Sequence, residues 1–574
     1  MTAQLAPAPD SSASSLAKSL FRGDVPEEMA FPFPRMDREE QQKVAALVRG
    51  VHEALAGYDP MRVEEERWIG DEVIRALGER GLLGLYVSPQ YGGQGLSQTG
   101  YCRVMQEFAL FDGTLSVVMG VHQSIGMKPI HLFGSKQQKE RFLPDLASGR
   151  KLAGFALTEP DAGSDAYQMK SRAERQADGS YRLNGEKRFI GNGSKDVLVT
   201  FANSDEGHVA LILERDMKGL EVGPRYDTMG LRGNDLRPLR FKDIRVPKDN
   251  VLGEPGEGFR IAMHTLNNGR MSLGTGAVGG VQRLIDLAVE HVQNREQFGL
   301  PLAEFELVQE KISWMVSYLF GLESMAYMTT GLVDAGVPDY SIESAICKVS
   351  ATEFLWYASN RAFQLAGGTA YMRDEPYEKI LRDIRVYPIF EGANDVLRAF
   401  IALAGLKALS EEVADLAHLS LSDPIGAIGT LADYAVGRIR RMRARITAVH
   451  PALSALADPI PDQVRRLRDV SEKLLRTHRE EIKFRQWHQK RLAHAVTDIY
   501  AQIATLSRVT SLLEDQGVEA SGQERYIADT FCTRAARRVQ RQLDQIEEND
   551  DERMHSIARL TYRRGAYGLS LYPS

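Results

Sequence analysis

The sequence predicts a mainly α-helical chain with a central β domain, on three observations. Apolar residues recur at three- and four-residue spacing between about positions 37 and 152, and again from position 258 onward. Between these regions, residues 152–252 carry short alternating apolar runs separated by Gly, Asn and Asp. That pattern predicts strands of an antiparallel sheet or small barrel. A further helical region, with a different charge balance, follows a polar acidic stretch at 410–423.

Taken in order, residues 1–24 read as a disordered tail, because their first fifteen are small, polar and Pro/Ala-rich. Residues 25–152 form an N-terminal helical domain with helices predicted at 39–55, 64–82, 101–111 and 136–147, and a loop at Tyr91-Gly92-Gly93-Gln94-Gly95. Residues 153–255 form the middle β domain, with strands predicted at 180–183, 197–201, 209–213 and 239–241. Pro247 and Gly253-Glu254-Pro255-Gly256 mark its end. Residues 256–409 are helical again, in segments at 279–295, 304–335 and 342–366. Residues 410–424 are a linker, and 425–574 a C-terminal helical domain.

The chain has 574 residues, 43% hydrophobic and 26% charged, ordinary values for a globular protein with room for several cores. Cys102, Cys347 and Cys532 lie far apart without CxxC spacing, which argues against a disulfide framework or a zinc site. No apolar run approaches the length of a membrane span. The N-terminus lacks the apolar core of a signal peptide, and the C-terminal Leu571-Tyr572-Pro573-Ser574 is no peroxisomal address. A bacterial cytoplasmic location is expected.

The net charge of −6 is unevenly spread: residues 425–510 hold 16 Lys and Arg against 8 Asp and Glu. Within 425–449, apolar residues at helical spacing accompany Arg438, Arg440, Arg441, Arg443 and Arg445. A basic amphipathic helix of this kind suits an anionic membrane surface. Equally, its arginines suit acidic neighbours in a packed core. Nucleic acid is not an expected partner, since the whole chain is acidic and carries no recognition motif.

Gly274-Thr275-Gly276-Ala277-Val278-Gly279 spells a dinucleotide fingerprint, but it lies in a helical pattern with no strand before it. Close helix packing is the better explanation. Asn192-Gly193-Ser194 is a glycosylation sequon in a chain without a signal peptide. A different stretch draws attention: Tyr387-Pro388-Ile389-Phe390-Glu391-Gly392-Ala393-Asn394-Asp395. It sets one carboxylate on an apolar turn ahead of a helix, with Asn394 as the expected N-cap. Desolvation there raises a carboxyl pKa, which suits a general base.

Together with Phe155-Ala156-Leu157-Thr158-Glu159-Pro160, Leu183-Asn184-Gly185-Glu186-Lys187-Arg188-Phe189-Ile190-Gly191-Asn192 and Asn294-Arg295-Glu296-Gln297-Phe298-Gly299, this stretch resembles the acyl-CoA dehydrogenases. The extra helical region after position 410 is similar to the C-terminal domain of the family's very-long-chain branch. The resemblance implies the family fold: N-terminal helical domain, middle antiparallel β-barrel and helical bundle, with that C-terminal domain added. It also implies FAD, an acyl-CoA substrate, an electron-transfer flavoprotein as acceptor and a homodimer. In the resembling branch, the C-terminal region mediates peripheral membrane association, here expected through 425–449 at the inner membrane.

By the same resemblance, Glu391 is the base that removes the substrate's α-proton, and its backbone N–H polarises the thioester carbonyl. The family's other base position corresponds to Gly269, which has no side chain to act. Phe155, Leu157 and Thr158 are implied along the flavin ring, Ser164 at flavin phosphate or CoA, and Phe189 covering the flavin. Arg295, Gln297 and Phe298 are implied to reach a neighbouring subunit's FAD, with Gln364, Gly367 and Gly368 as a second contact of that kind. Asp395 is implied beside the cofactor. Asn267, Arg270, Phe390 and Gly392 are implied at the substrate, and residues 115–124 along the acyl tunnel, where His122 is packed or solvated rather than catalytic. Read without the resemblance, the same residues are turn and core positions, and Arg270 an ion-pair residue.

Two positions depart from the family. Gly191 stands where a Thr or Ser hydroxyl meets the flavin, and Ala393 where a Thr does. Each lost neutral hydrogen bond is worth about 0.5–1.5 kcal/mol. These departures keep open a catalytically idle scaffold or assembly protein, and an oxidase on the same fold is the other alternative to the dehydrogenase.

Overall fold

A computed structural model describes residues 15–422 and 445–571. Helices run α1 Leu16–Phe21, α2 Glu27–Ala30, α3 Arg38–Ala54, α4 Pro60–Glu66, α5 Asp71–Glu79, α6 Gln98–Phe111 and α7 Gly113–Gly120. A π-helical segment, Val121–Met127, continues α7 into α8 Lys128–Phe133, and α9 Lys136–Ala147 follows. Side-chain caps set the starts: Asp37 accepts from Glu40 N–H, Ser97 from Gly100 N–H, and Ser135 forms a capping box with Gln138. The single helix predicted at 64–82 is two helices. Arg67 adopts a left-handed conformation (φ 55°), and Gly70 opens the second.

Strands β1 Ala153–Ala156, β2 Arg172–Arg175, β3 Tyr181–Ile190, β4 Val197–Ser204, β5 Gly207–Glu214, β6 Leu220–Val222, β7 Arg237–Val246 and β8 Val251–Gly256 form one sheet. Its order is β6-β7-β3-β2-β4-β5-β8, mostly antiparallel, and β1 pairs with β4 in parallel. Leu183, Leu198, Leu211, Leu213 and Phe241 fill one buried face. β1 and β3 carry the residues of the two sequence stretches expected to meet the cofactor.

The second helical layer comprises α10 Gly258–Asn294, α11 Glu306–Asp334, α12 Ser341–Ala366, α13 Pro376–Ile384 and α14 Asn394–Ser422. The glycine fingerprint lies inside α10. A Cβ at Gly279 would sit 2.3 Å from the Gln106 carbonyl oxygen of α6, and one at Gly274 would sit 3.5 Å from Cys347 of α12. Those glycines let three helices approach closely. The sequon Asn192 is fully buried and donates to the Ala153 carbonyl at 3.0 Å.

Three expectations need correction. Residues 15–24 are not part of a disordered tail: Leu16, Ala17, Leu20 and Phe21 are completely buried. Ser15 Oγ and Ala17 N–H donate to Glu343 Oε1 of α12 at 2.7 and 2.9 Å, and the Phe21 ring lies where only Gly405 of α14 leaves room. The linker expected at 410–424 is helical through Ser422, because α14 continues past its apolar stretch. Asn394 is the first residue of α14 rather than its cap, and its amide turns toward α12.

The remaining helices are α15 Ser454–Ala457, α16 Ile460–His478, α17 Gln486–Gln516, α18 Gly522–Asp544 and α19 Asp551–Arg564. The basic helix expected at 425–449 falls outside the described residues as far as position 444. Downstream of it, other arginines meet carboxylates: Arg508 with Glu323 at 2.7 Å, Arg538 with Asp498 at 2.6 Å, and Arg491 with Asp551 at 2.6 Å. Among the described residues, no helix is long and apolar enough to cross a membrane.

Candidate active site

Glu391 sits between α13 and α14 on a turn that the backbone makes sharp. Its φ is 56°, followed by 96° at Gly392. A left-handed non-glycine residue followed by a left-handed glycine is costly, and such strain persists where surrounding bonds hold it. Two cations supply those bonds. Arg270 Nε of α10 donates to the Glu391 carbonyl at 3.1 Å, and Lys348 Nζ of α12 donates to the Gly392 carbonyl at 2.8 Å. Arg270 also donates to Asn267 Oδ1 at 2.9 Å, and Lys348 to Asn394 Oδ1 at 2.7 Å. Thus Arg270 and Asn267, both expected at the substrate, are joined to the turn of Glu391 and Gly392.

The carboxylate itself is left alone. Glu391 Oε2 is buried and has no hydrogen-bond partner. Burial pushes its pKa up to about 7, against the opposing pull of Arg270 and then Lys348. Both cations are engaged with backbone carbonyls, so they hold the turn without forming an ion pair with the carboxylate. The result is a carboxyl near half-ionisation at neutral pH with a free oxygen, the state a general base needs.

Gly269 is necessary to this arrangement. A Cβ there would lie 2.9 Å from Glu391 Oε2 and 2.9 Å from Ile125 Cγ2 of the π segment. Gly269→Ala is therefore expected to displace the carboxylate and slow flavin reduction by about ten- to a hundredfold, with FAD content unchanged. Stopped-flow absorbance under anaerobic conditions measures it. π-Helical turns often accompany functional sites, and this one brings Ile125 to the base. His122 in the same segment is buried, accepts from Ala153 N–H at 3.0 Å and contacts the Leu146 carbonyl at 3.1 Å. Burial holds its pKa near 4, so it is a packed neutral histidine.

The two cofactor stretches are joined to each other. Arg188 N–H donates to the Thr158 carbonyl at 2.8 Å, and Lys187 Nζ to the Leu157 carbonyl at 3.0 Å and Glu159 Oε1 at 2.7 Å. Glu159 also accepts from Ser171 N–H at 3.0 Å. Phe155 is buried against Phe201, with ring centroids 4.9 Å apart. Phe189 projects outward at φ 60°, half exposed, beside Tyr226. At Gly191 a Cβ would lie 3.1 Å from Val121 of the π segment, so a hydroxyl-bearing residue would press on that helix.

The other expected cofactor residues stand on the surface. Ser164 is on an exposed loop, and Arg295, Gln297 and Phe298 lie on or beside a two-residue hairpin, with Phe298 94% exposed. Gln364, Gly367 and Gly368 end α12 in the open, where a Cβ at either glycine would touch nothing. Asp395 is exposed and pairs with Arg398 at 2.7 Å; Phe390 packs near Tyr387, and Ala393 is half-buried. Among the described residues, none of Arg295, Gln297, Phe298, Gln364, Gly367 or Gly368 hydrogen-bonds to the Glu391 turn.

Sequence reasoning missed Lys348, Glu159 and Lys187. Lys348 carried a usable signal, a lysine on the apolar side of α12 between Ile346 and Val349, where burial demands a partner. For Lys187 the alternation of β3 placed it inward, and Glu159 lay eleven residues from the backbone it caps.

Comparison with known proteins agrees with this geometry. Family models for the acyl-CoA dehydrogenase N-terminal domain (residues 38–150), middle domain (154–244) and C-terminal domain (256–406) match in order, and the ACAD9/ACADV C-terminal domain matches residues 451–567. The human mitochondrial very long-chain specific acyl-CoA dehydrogenase is 35% identical, covering 96% of this chain and 88% of its own. A probable acyl-CoA dehydrogenase, FadE10, of Mycobacterium tuberculosis is 31% identical, covering 94% and 86%. An acyl-CoA dehydrogenase complexed with FAD from Bacillus anthracis superimposes with a TM-score of 0.81 at 28% identity, covering 94% and 93%. The chain belongs to the acyl-CoA dehydrogenase family, flavin-dependent oxidoreductases that use FAD.

Proposed function

We propose that this protein catalyses the α,β-dehydrogenation of long- or very-long-chain fatty acyl-CoA to the trans-2-enoyl-CoA, with Glu391 as the base. The carrying observation is the buried, unpartnered Glu391 Oε2 on a turn held by Arg270 and Lys348. FAD, when bound, supplies the acceptor for the hydride that leaves the β-carbon. Glu391 takes the α-proton, so the two C–H bonds broken are replaced by one C=C bond. The Glu391 N–H is the chain's own donor to the thioester carbonyl, whose negative charge grows as the α-proton leaves. Leu157, Thr158 and Phe189 would hold the flavin, and Ser164 its phosphate or the CoA. Arg295, Gln297, Phe298, Gln364, Gly367 and Gly368 would hold the FAD of a partner subunit in a homodimer. An electron-transfer flavoprotein would take the electrons onward.

The long-chain assignment draws on the named relatives. Gly120, where a Cβ would make only ordinary contacts from 3.9 Å, lies along the segment expected to line the acyl tunnel. Anaerobic titration of the yellow holoprotein with acyl-CoAs of increasing length tests the proposal. Bleaching near 450 nm is expected with palmitoyl-CoA and longer substrates, and weaker bleaching with butyryl-CoA. If no acyl-CoA bleached the flavin, the idle alternative that Gly191 and Ala393 keep open would replace the dehydrogenase.

A further inference from the structure

Helix α19 stands apart from every other feature of the fold. None of its fourteen residues is buried, and it carries Met554, Ile557 and Leu560 at three-residue spacing, all more than half exposed. Its anchor is at its start, where Arg491 of α17 bonds Asp551 with both guanidinium nitrogens at 2.6 and 2.7 Å. A helix this short is marginal in water without a surface to bury its apolar side. A contiguous exposed apolar face marks an interaction site.

The location of that start points to what covers it. α18 runs antiparallel to α11, with the Phe531 ring filling the space at Gly321 and Arg534 over the Trp314 ring at 4.8 Å. α18 also runs antiparallel to α17, with Arg538 on Asp498, so it returns the chain to the first turns of α17, where α19 begins. Beyond Trp314, toward the start of α11, the chain leaves Leu307 71% exposed, and Phe298 stands open before it. Charges match as well. Glu304, Glu306 and Glu310 are exposed and form no ion pair among the described residues, and neither do Arg559, Arg563 and Arg564 of α19.

We propose that α19 is an exchanged arm that packs on a second copy of this chain, laying its apolar side over the start of α11 and its arginines toward Glu304, Glu306 and Glu310. It rests on the homodimer reading above, because Phe298 belongs to the face expected to meet a partner's FAD. An anionic lipid surface shares the cationic, apolar chemistry of α19, but it would be repelled by those three carboxylates.

The test uses the full-length holoprotein carrying Ile557→Asp and Leu560→Asp together. Both residues are exposed, so at protein concentrations far above the dissociation constant Tm and FAD content should stay unchanged, while the dimer dissociation constant from analytical ultracentrifugation rises at least tenfold. Separately tagged chains carrying Leu560→Cys and Leu307→Cys should form an inter-chain disulfide when mixed and oxidised; the native Cys102, Cys347 and Cys532 are buried. An unchanged dissociation constant without that disulfide would overturn the proposal. So would flotation on phosphatidylglycerol vesicles that the Asp variant loses while its dimer persists. Neither readout depends on turnover. A dimer weakened by the Asp pair whose flavin no acyl-CoA reduces would sink the dehydrogenase assignment and leave the arm standing.

Discussion

Glu391→Gln is expected to bind acyl-CoA and FAD yet reduce the flavin roughly a thousandfold more slowly, near the middle of the range for losing a general base. It should also make the protein more stable above neutral pH, as replacing any carboxylate whose pKa is raised by burial would. Burial holds the folded-state pKa near 7 against an ordinary value of 4.5. The folded state therefore binds a proton that the unfolded chain has released. The stability of the wild type is fully present below about 4.5 and is lost as pH rises through 7. At pH 8 the Gln variant escapes that loss, worth on the order of 1–3 kcal/mol, and at pH 4 the two proteins should melt together. Thermal melts across that range and anaerobic stopped-flow traces at each pH separate the two effects. In the wild type, reduction of the flavin should rise with pH through about 7 as the free carboxyl ionises.

That site illustrates what was legible in the sequence and what was not. The apolar turn and its carboxylate were readable in residues 387–395 themselves, whereas the base role of Glu391 and the vacant Gly269 rest on the family resemblance. The helical and β regions were readable from their apolar patterns: β3 and β7 alternate buried and exposed positions, whereas β4 and β5 are buried on both faces and read as short apolar runs. Boundaries set by single backbone angles were not. The break at Arg67 lies within an unbroken apolar rhythm, and α14 runs through an acidic stretch because a helix does not need an apolar face in order to continue. The first described residues were misread for a related reason. The tail-like composition of positions 1–15 was extended over them, yet α1 is held by Glu343, more than 300 positions away.

The hidden part of the site is its support, and support is non-local by nature. Glu159 and Lys187 look like surface charges in sequence. They become a buried pair only once β1 and β3 are side by side; Lys187 then holds the Leu157 carbonyl, and the neighbouring Arg188 N–H holds that of Thr158. Burial pushes the Glu159 carboxyl up, but Lys187 and the bonds from Ser171 and Lys170 hold it below its ordinary range. Breaking one partner of such a pair strands a buried charge.

Lys348 is the sharpest case. Lys348→Met is expected to slow flavin reduction by about ten- to a hundredfold, the range for misplacing a reacting group by an ångström or less. The methionine keeps the apolar stem but leaves the Gly392 carbonyl and Asn394 Oδ1 without their donor. The peptide after the base is then free to turn, and both the carboxylate and the Glu391 N–H move with it. Removing the cation also takes away one of the two groups that favour the ionised base; Arg270 remains, with Arg398 and Glu353 on the far side of Asn394. The rise of the reduction rate with pH should therefore move to higher pH than in the wild type. Burial holds Lys348 itself down to about 7, so its charge wanes over the same pH range in which the Glu391 carboxyl ionises. A lysine that only packs α12 against α14 would change melting temperature and leave the pH profile in place. A shifted profile with near-normal FAD content assigns Lys348 to positioning the base, and an unshifted one at wild-type rate removes it from the site.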